Sequence, residues 1–231
     1  MVERSEITVL SSADALAEQA AQHLLECAGA AQRARGRFVV ALSGGSTPRR
    51  LYRLLTDDAW RARFDWSVWN VFWSDERVVP LDDPTSNGGD AKRLLLDQVP
   101  VPTEQVHYAP TQAGSAAEPW PRFDLIFLGM GSDGHTASLF PGMPTLDERT
   151  QLVVASPPGV LPPPVDRVTF TLPVLNAARS VIFLVAGDDK RPALTRVVQG
   201  DRELPAARVR PTDGELHWLV DEAAAPVGAN A

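Results

Sequence analysis

The chain has 231 residues, 44% of them apolar, which suits one large α/β domain over residues 1–231 better than two small ones. Its 22 basic and 29 acidic residues give a net charge of −7, which argues against a nucleic-acid partner and requires any anion site to be built locally. One cysteine excludes an intramolecular disulfide, no apolar run reaches the ~18 residues of a membrane span, and the start lacks a signal-peptide pattern. These features read as a soluble cytoplasmic protein with no membrane partner and no evident obligate protein partner.

In chain order, residues 7–10 read as a strand and Ser12 caps a long Ala-rich helix to about Arg35. Cys27 lies beside Leu24, Leu25 and Ala28 on its packed face and reads as a structural thiol. Residues 37–42 form a second strand, then a Gly-rich turn and a helix from Pro48. Residues 68–73 make a third strand, and 123–128 a fourth that is apolar enough for burial on both faces. Further strands are expected at 153–155, 167–171 and 181–186, a helix from Asp188 to about Gln199, and a last strand at 217–220. Residues 157–164, rich in proline, read as a stiff surface loop that could rim a site. The Ala-rich end, 222–231, is expected to fray. The alternation predicts a mostly parallel sheet with helices on both faces, and ligands then bind beyond the strands' carboxyl ends.

Four polar motifs follow predicted strands. In Ser43-Gly44-Gly45-Ser46-Thr47-Pro48, the glycines let backbone N–H groups approach a ligand, Pro48 suits a first helical position, and the hydroxyls add donors for a phosphate. It is neither a Walker A loop, lacking Gly-Lys-Ser/Thr, nor a Gly-x-Ser-x-Gly elbow. In Ser74-Asp75-Glu76-Arg77, Arg77 could bind phosphate, while Asp75 could hold Arg77 or contact substrate hydroxyls.

The third motif runs Gly129-Met130-Gly131-Ser132-Asp133-Gly134-His135-Thr136-Ala137-Ser138-Leu139-Phe140-Pro141-Gly142. Its glycines match Gly-x-Gly-x-x-Gly, but Pro141 interrupts any helix and the next strand ends at Val154-Ala155-Ser156 without the acid a dinucleotide needs. The glycines instead expose Asp133 and His135, a pattern for a general base oriented by a carboxylate. The fourth is Gly187-Asp188-Asp189-Lys190, where Asp188 suits an N-cap and Lys190 opposes the helix dipole unless an anion lies nearby. Arg167 is a further candidate cation. The four histidines, 23, 107, 135 and 217, are too scattered for a metal cluster, so no metal is assigned.

Taken in order over nearly the whole chain, these motifs resemble those of the 6-phosphogluconolactonase family. They are Ser43 to Pro48 with Leu51-Tyr52, Ser74 to Arg77 with Val79-Pro80, and Gly129 to Gly142. Arg167-Val168-Thr169 and Gly187 with Lys190 are similar to the family's later blocks. The resemblance implies a Rossmann-like α/β fold shared with glucosamine-6-phosphate deaminases and ribose-5-phosphate isomerase. It implies cofactor-free hydrolysis of 6-phosphogluconolactone, a small sugar-phosphate lactone, in the oxidative pentose phosphate pathway. Deaminases carry Asp-Gly-His-Ile-Ala-Phe-Asn-Glu-Pro, whereas here Thr136 to Pro141 supply no acid. Ser86-Asn87-Gly88-Gly89 departs from relatives with bulkier residues; it is expected to loosen a helix start without touching the chemistry.

The expected mechanism has His135 deprotonating water, with Asp133 orienting the ring and Arg77 or loop N–H groups holding the oxyanion. Ser43, Gly44, Gly45, Ser46, Thr47, Arg167 and Lys190 would bind the phosphate end. A sugar-phosphate sensor is the rival of a different class; such a regulator normally carries a DNA-binding module, for which there is no room before Ile7.

Overall fold

The computed structural model describes residues 5–108, 121–158 and 164–226. In chain order it contains β1 (Ser5–Leu10), α1 (Ala13–Arg35), β2 (Phe38–Leu42), α2 (Ser46–Thr56), α3 (Asp58–Arg61), β3 (Trp69–Trp73), β4 (Asp75–Arg77) and α4 (Asn87–Ala91). β5 (Leu125–Leu128), β6 (Val153–Ser156), β7 (Arg167–Phe170), α5 (Leu172–Ala177), β8 (Ser180–Val185), α6 (Arg191–Val198) and β9 (Glu215–Asp221) follow.

Six strands form a parallel sheet in the order β1-β9-β8-β5-β2-β3. Strand alternation sends Val39, Ala41, Ile126, Leu128, Val181 and Phe183 to the face covered by α5 and α6. Phe38, Val40, Leu42, Leu125, Phe127 and Ile182 face α1 and α2. The expected fold class, a mostly parallel sheet with helices on both faces, is therefore present. β2 passes to β3 on one side and meets β5 on the other, so the strand order reverses there and opens a crevice at their carboxyl ends.

α1 forms as its sequence dictates. Ser12 Oγ accepts from Ala15 N at 3.1 Å, and Gly36, at φ 67, closes the other end with its N–H on Gln32 O. Leu16, Ala20, Ala21, Leu24, Ala28 and Ala31 face the sheet, and truncating a fully buried leucine such as Leu24 would cost ~2–5 kcal/mol. Burial pushes the Cys27 thiol up to about 11, in keeping with an inert structural role.

Three features correct the sequence reading. β4, β7 and β6 do not join the parallel sheet; they form a separate antiparallel one, with Asp75 opposite Thr169, Glu76 opposite Val168 and Arg77 opposite Arg167. Periodicity cannot tell a short antiparallel strand from a buried parallel one. Ser74 joins the two sheets: its N–H donates to Leu42 O at 3.0 Å, and its carbonyl accepts from Phe170 N at 2.8 Å. α2 starts at Ser46, not Pro48, because Gly45 takes φ 111 and turns the chain earlier. Asp188 is no N-cap: residues 188–190 wind as a 3-10 turn before α6 and its side chain makes no cap bond.

The expected fraying does not hold for 222–226, where Ala224 N donates to Asp221 Oδ1 at 2.8 Å and Ala224 is fully buried. Residues 227–231, and 159–163 of the proline-rich loop, lie outside the described residues. Among the described residues no helix is long and apolar enough to cross a membrane.

Candidate active site

A cleft of about 230 Å3 opens at the carboxyl ends of β2 and β5. Its first wall is the loop after β2. Buried Tyr52, in the second turn of α2, accepts from Ser43 N at 3.2 Å and donates its hydroxyl to Ser43 O at 2.6 Å, which pins the loop's start. α2 begins at Ser46 with no side-chain cap, and its first helical bond runs from Arg49 N to Gly45 O. The N–H groups of Ser46 and Thr47 precede that bond, and Pro48 has none. Ser43, Gly44, Gly45, Ser46 and Thr47 all line the cleft, so this helix start can receive an anion.

The second wall follows β5. Gly134, at φ 80, and the Gly131 N to His135 O bond of 2.9 Å fold residues 131–135 into a tight turn. A Cβ on Gly131 would lie 2.1 Å from His135 Nδ1 and 2.5 Å from Asp133 Oδ1, so only glycine leaves room for the pair. Asp133 Oδ1 sits 2.6 Å from His135 Nδ1 and also accepts from His135 N at 3.1 Å. With a carboxylate against Nδ1, that nitrogen carries the proton and Nε2 is the basic one. Burial alone would raise the Asp133 carboxyl, but the hydrogen bonds and charge of His135 outweigh it and hold it below the usual range.

The third wall comes from the small sheet. Arg77 and Arg167 are cross-strand partners and both line the cleft. Arg77 Nη1 donates to Thr85 O at 2.6 Å, and Arg167, 4% exposed, lies 5.5 Å over the Phe140 ring. Burial, then the charge of Arg77, pushes the Arg167 guanidinium down, with Asp75 partly opposing both. Like charges opposite one another destabilise a sheet, so this pair suits an anionic ligand. Lys190 reaches the cleft from the turn after β8 and pairs with Asp189 Oδ2 at 2.9 Å.

Asp75 does not hold Arg77, with which it makes no ion pair among the described residues. Its Oδ2 accepts from Ser138 Oγ at 2.6 Å and its Oδ1 from Asn87 Nδ2 at 3.3 Å. Ser138 is presented by a two-residue turn closed by Thr136 and Leu139, in which Ala137 takes the strained φ of 47.

The cleft thus gathers every predicted site residue except Asp133, which backs it through His135. Sequence reading missed Ser138 and Asn87. It also set aside residues 86–89 as remote from the chemistry, and the structure corrects this. Glu76 accepts from the N–H groups of Arg77, Asn87 and Gly88 at 2.7, 2.8 and 2.6 Å and from Ser86 Oγ at 3.1 Å. The helix start is therefore anchored, not loosened, and it carries Asn87 into the cleft. The signal was an acid followed ten residues later by Ser-Asn-Gly-Gly, a sequence able to bring free N–H groups onto a buried carboxylate.

A second cavity of about 300 Å3, walled by Ile7, Val197, Val198, Leu216 and Trp218, holds none of these residues. Among the described residues no group of three or more His, Cys, Asp or Glu is placed to hold a metal.

Comparison with known proteins gives concordant results. Residues 11–218 match the family model described as glucosamine-6-phosphate isomerases/6-phosphogluconolactonase. The chain is 42% identical to the 6-phosphogluconolactonase of Rattus norvegicus, covering 95% of this chain and 92% of that one. It is 39% identical to the Nostoc 6-phosphogluconolactonase, covering 94% and 96%. The solved 6-phosphogluconolactonase from Trypanosoma brucei superposes with a TM-score of 0.85 at 27% identity, covering 96% and 98%. A monomeric glucosamine-6-phosphate deaminase superposes with a TM-score of 0.77 over 95% and 98%, and at 18% identity that likeness shows the fold alone.

Proposed function

Because this chain belongs to the glucosamine-6-phosphate isomerase/6-phosphogluconolactonase family, we propose that it hydrolyses 6-phosphogluconolactone to 6-phosphogluconate. The observation that carries this reading is the Asp133–His135 pair, at 2.6 Å, in a cleft that also collects Arg77, Arg167, Lys190 and the open start of α2. One end of such a cleft suits a phosphate and the other a base.

Nε2 of His135 takes a proton from water as its oxygen attacks the lactone carbonyl. Asp133 keeps the imidazole in the tautomer that leaves Nε2 basic and stabilises the imidazolium that forms. The tetrahedral oxyanion is held by Arg77 or by loop N–H groups. The imidazolium then protonates the departing ring oxygen, which opens the ring and leaves the carboxylic acid. No covalent enzyme intermediate is needed: Ser138, a buried hydroxyl of this loop, is committed to Asp75 and has no histidine partner among the described residues. Ser43, Gly44, Gly45, Ser46, Thr47, Arg167 and Lys190 bind the phosphate.

The deaminase activity of the same family is disfavoured by Leu139 and Phe140, buried apolar residues in the stretch where deaminases carry an acid. The deciding experiment is acid release from freshly made 6-phosphogluconolactone against an enzyme-free control. Release well above that control is expected. Release at the control rate, or ammonia from glucosamine-6-phosphate, would reject the reading.

A further inference from the structure

We infer that Asn87 contacts the substrate: its Oδ1 accepts a hydrogen bond from a ring hydroxyl of the lactone, between the phosphate loop and the carbonyl. The inference rests on the proposed lactonase reading and adds a residue that reads the sugar itself.

Three observations carry it. First, Asn87 is 3% exposed, yet it lines the cleft, so its small open surface faces the ligand space. Second, its amide orientation is set chemically. Nδ2 donates to Asp75 O at 3.0 Å and to Asp75 Oδ1 at 3.3 Å, and both partners are acceptors, so the nitrogen must point there. Oδ1 then faces away from Asp75 and makes no hydrogen bond among the described residues. Oδ1 is thus the amide's free acceptor, open to the cleft and available to a ligand hydroxyl.

Third, the amide lies directly against the phosphate loop. A Cβ on Gly44 would fall 1.8 Å from Asn87 Oδ1 and 2.4 Å from Cγ. Glycine at 44 is thus required by Asn87, whose amide is held with Nδ2 on Asp75 and Oδ1 toward the anion loop. In a lactone with its phosphate at the start of α2 and its carbonyl at His135, the ring between them carries its oxygen on one edge and the hydroxyl-bearing carbons 2, 3 and 4 on the other, and Asn87 is assigned to the hydroxyl edge. The backbone supports this placement: Asn87 N–H is anchored on Glu76 Oε1 at 2.8 Å, so the residue can direct a single rotamer.

The test measures kcat and KM of wild type, Asn87→Ala and Asn87→Ser for 6-phosphogluconolactone and for its 2-, 3- and 4-deoxy analogues. Both variants should lose about twofold to twelvefold in kcat/KM on the parent lactone, mainly through KM, as for one neutral hydrogen bond. For one deoxy analogue the wild type should fall by a similar factor and the variants no further, while the other two keep the deficit. Any loss through a loosened Asp75 would be common to all four lactones and is separated by this comparison. Equal loss on all four, or no loss, overturns the inference. If both variants unfold, the wild type still decides: indifference to all three deoxy analogues overturns it, and sensitivity to one upholds it. A wild type that fails to hydrolyse even the parent lactone rejects the lactonase reading, an outcome distinct from any of these.

Discussion

Asp133 Oδ1 binds both Nδ1 and the backbone N–H of His135, at 2.6 and 3.1 Å, so one carboxylate oxygen fixes the ring and the loop together. His135→Ala should lower kcat by ~10²–10⁴ with the fold retained, and Asp133→Ala should lower it less, since the base remains. The carboxyl titration supplies an independent check. The Asp133 carboxyl is held below its ordinary 3.8, so the pair stabilises the fold above that pH, and this contribution is lost as pH falls through the depressed value. In His135→Ala the ring's hydrogen bond and charge are lost while burial and the backbone N–H bonds remain, so Asp133 should titrate higher than in wild type. Carboxyl carbon shifts followed by NMR would show it, and an unchanged titration would contradict the pairing.

Glu76→Gln should destabilise the protein and impair catalysis together. Both carboxylate oxygens accept, so an amide nitrogen placed there would meet an N–H or hydroxyl already donating. The cost should be ~1–3 kcal/mol, read as a lower urea midpoint. Burial nevertheless raises the Glu76 carboxyl above 4.5, the N–H groups of Gly88, Asn87 and Arg77 only partly opposing this and the charge of Asp75 adding to it. The folded state therefore binds the proton more tightly, and the stability Glu76 contributes declines as pH rises from 4.5 through its folded value. Glu76→Gln should lack that part of the pH dependence.

Gly89→Ala should destabilise without altering the cleft's chemical groups. Its Cβ would lie 2.0 Å from the carbonyl oxygen of Leu81, a backbone atom that cannot swing aside. Overpacking of this kind costs ~1–3 kcal/mol, and thermal melting should report it. A neutral outcome would mean that the loop before α4 yields easily.

Unphosphorylated gluconolactone should be a much poorer substrate. Lys190→Ala should lower kcat/KM on the phosphorylated lactone by ~10- to 150-fold, as for one charge-assisted hydrogen bond, and barely change it on the unphosphorylated one. Equal losses on both substrates would move Lys190 away from the phosphate.

What could be read from the sequence follows the range of the interactions involved. The α1 caps at Ser12 and Gly36, the glycines around His135 and the helix start after Gly45 are local, and residue type alone reveals them. The Asp133–His135 bond spans two residues and was equally legible. Ser138 and Asn87 were not, because each acts on Asp75, 63 and 12 residues away, through a sheet whose strands are only three or four residues long. No periodicity is readable at that length, and the antiparallel register placing Arg77 opposite Arg167 is a tertiary fact.

Ser74, hydrogen-bonded to Leu42 of the parallel sheet and to Phe170 of the antiparallel one, has a consequence for the order of folding. α1 needs only its own backbone bonds to form, but Arg77 meets Arg167 only when segments distant in the chain have closed across that one residue. After dilution from urea, helical circular dichroism should therefore recover first and turnover later. The interval between the two signals would time the arrival of β7 beside β4.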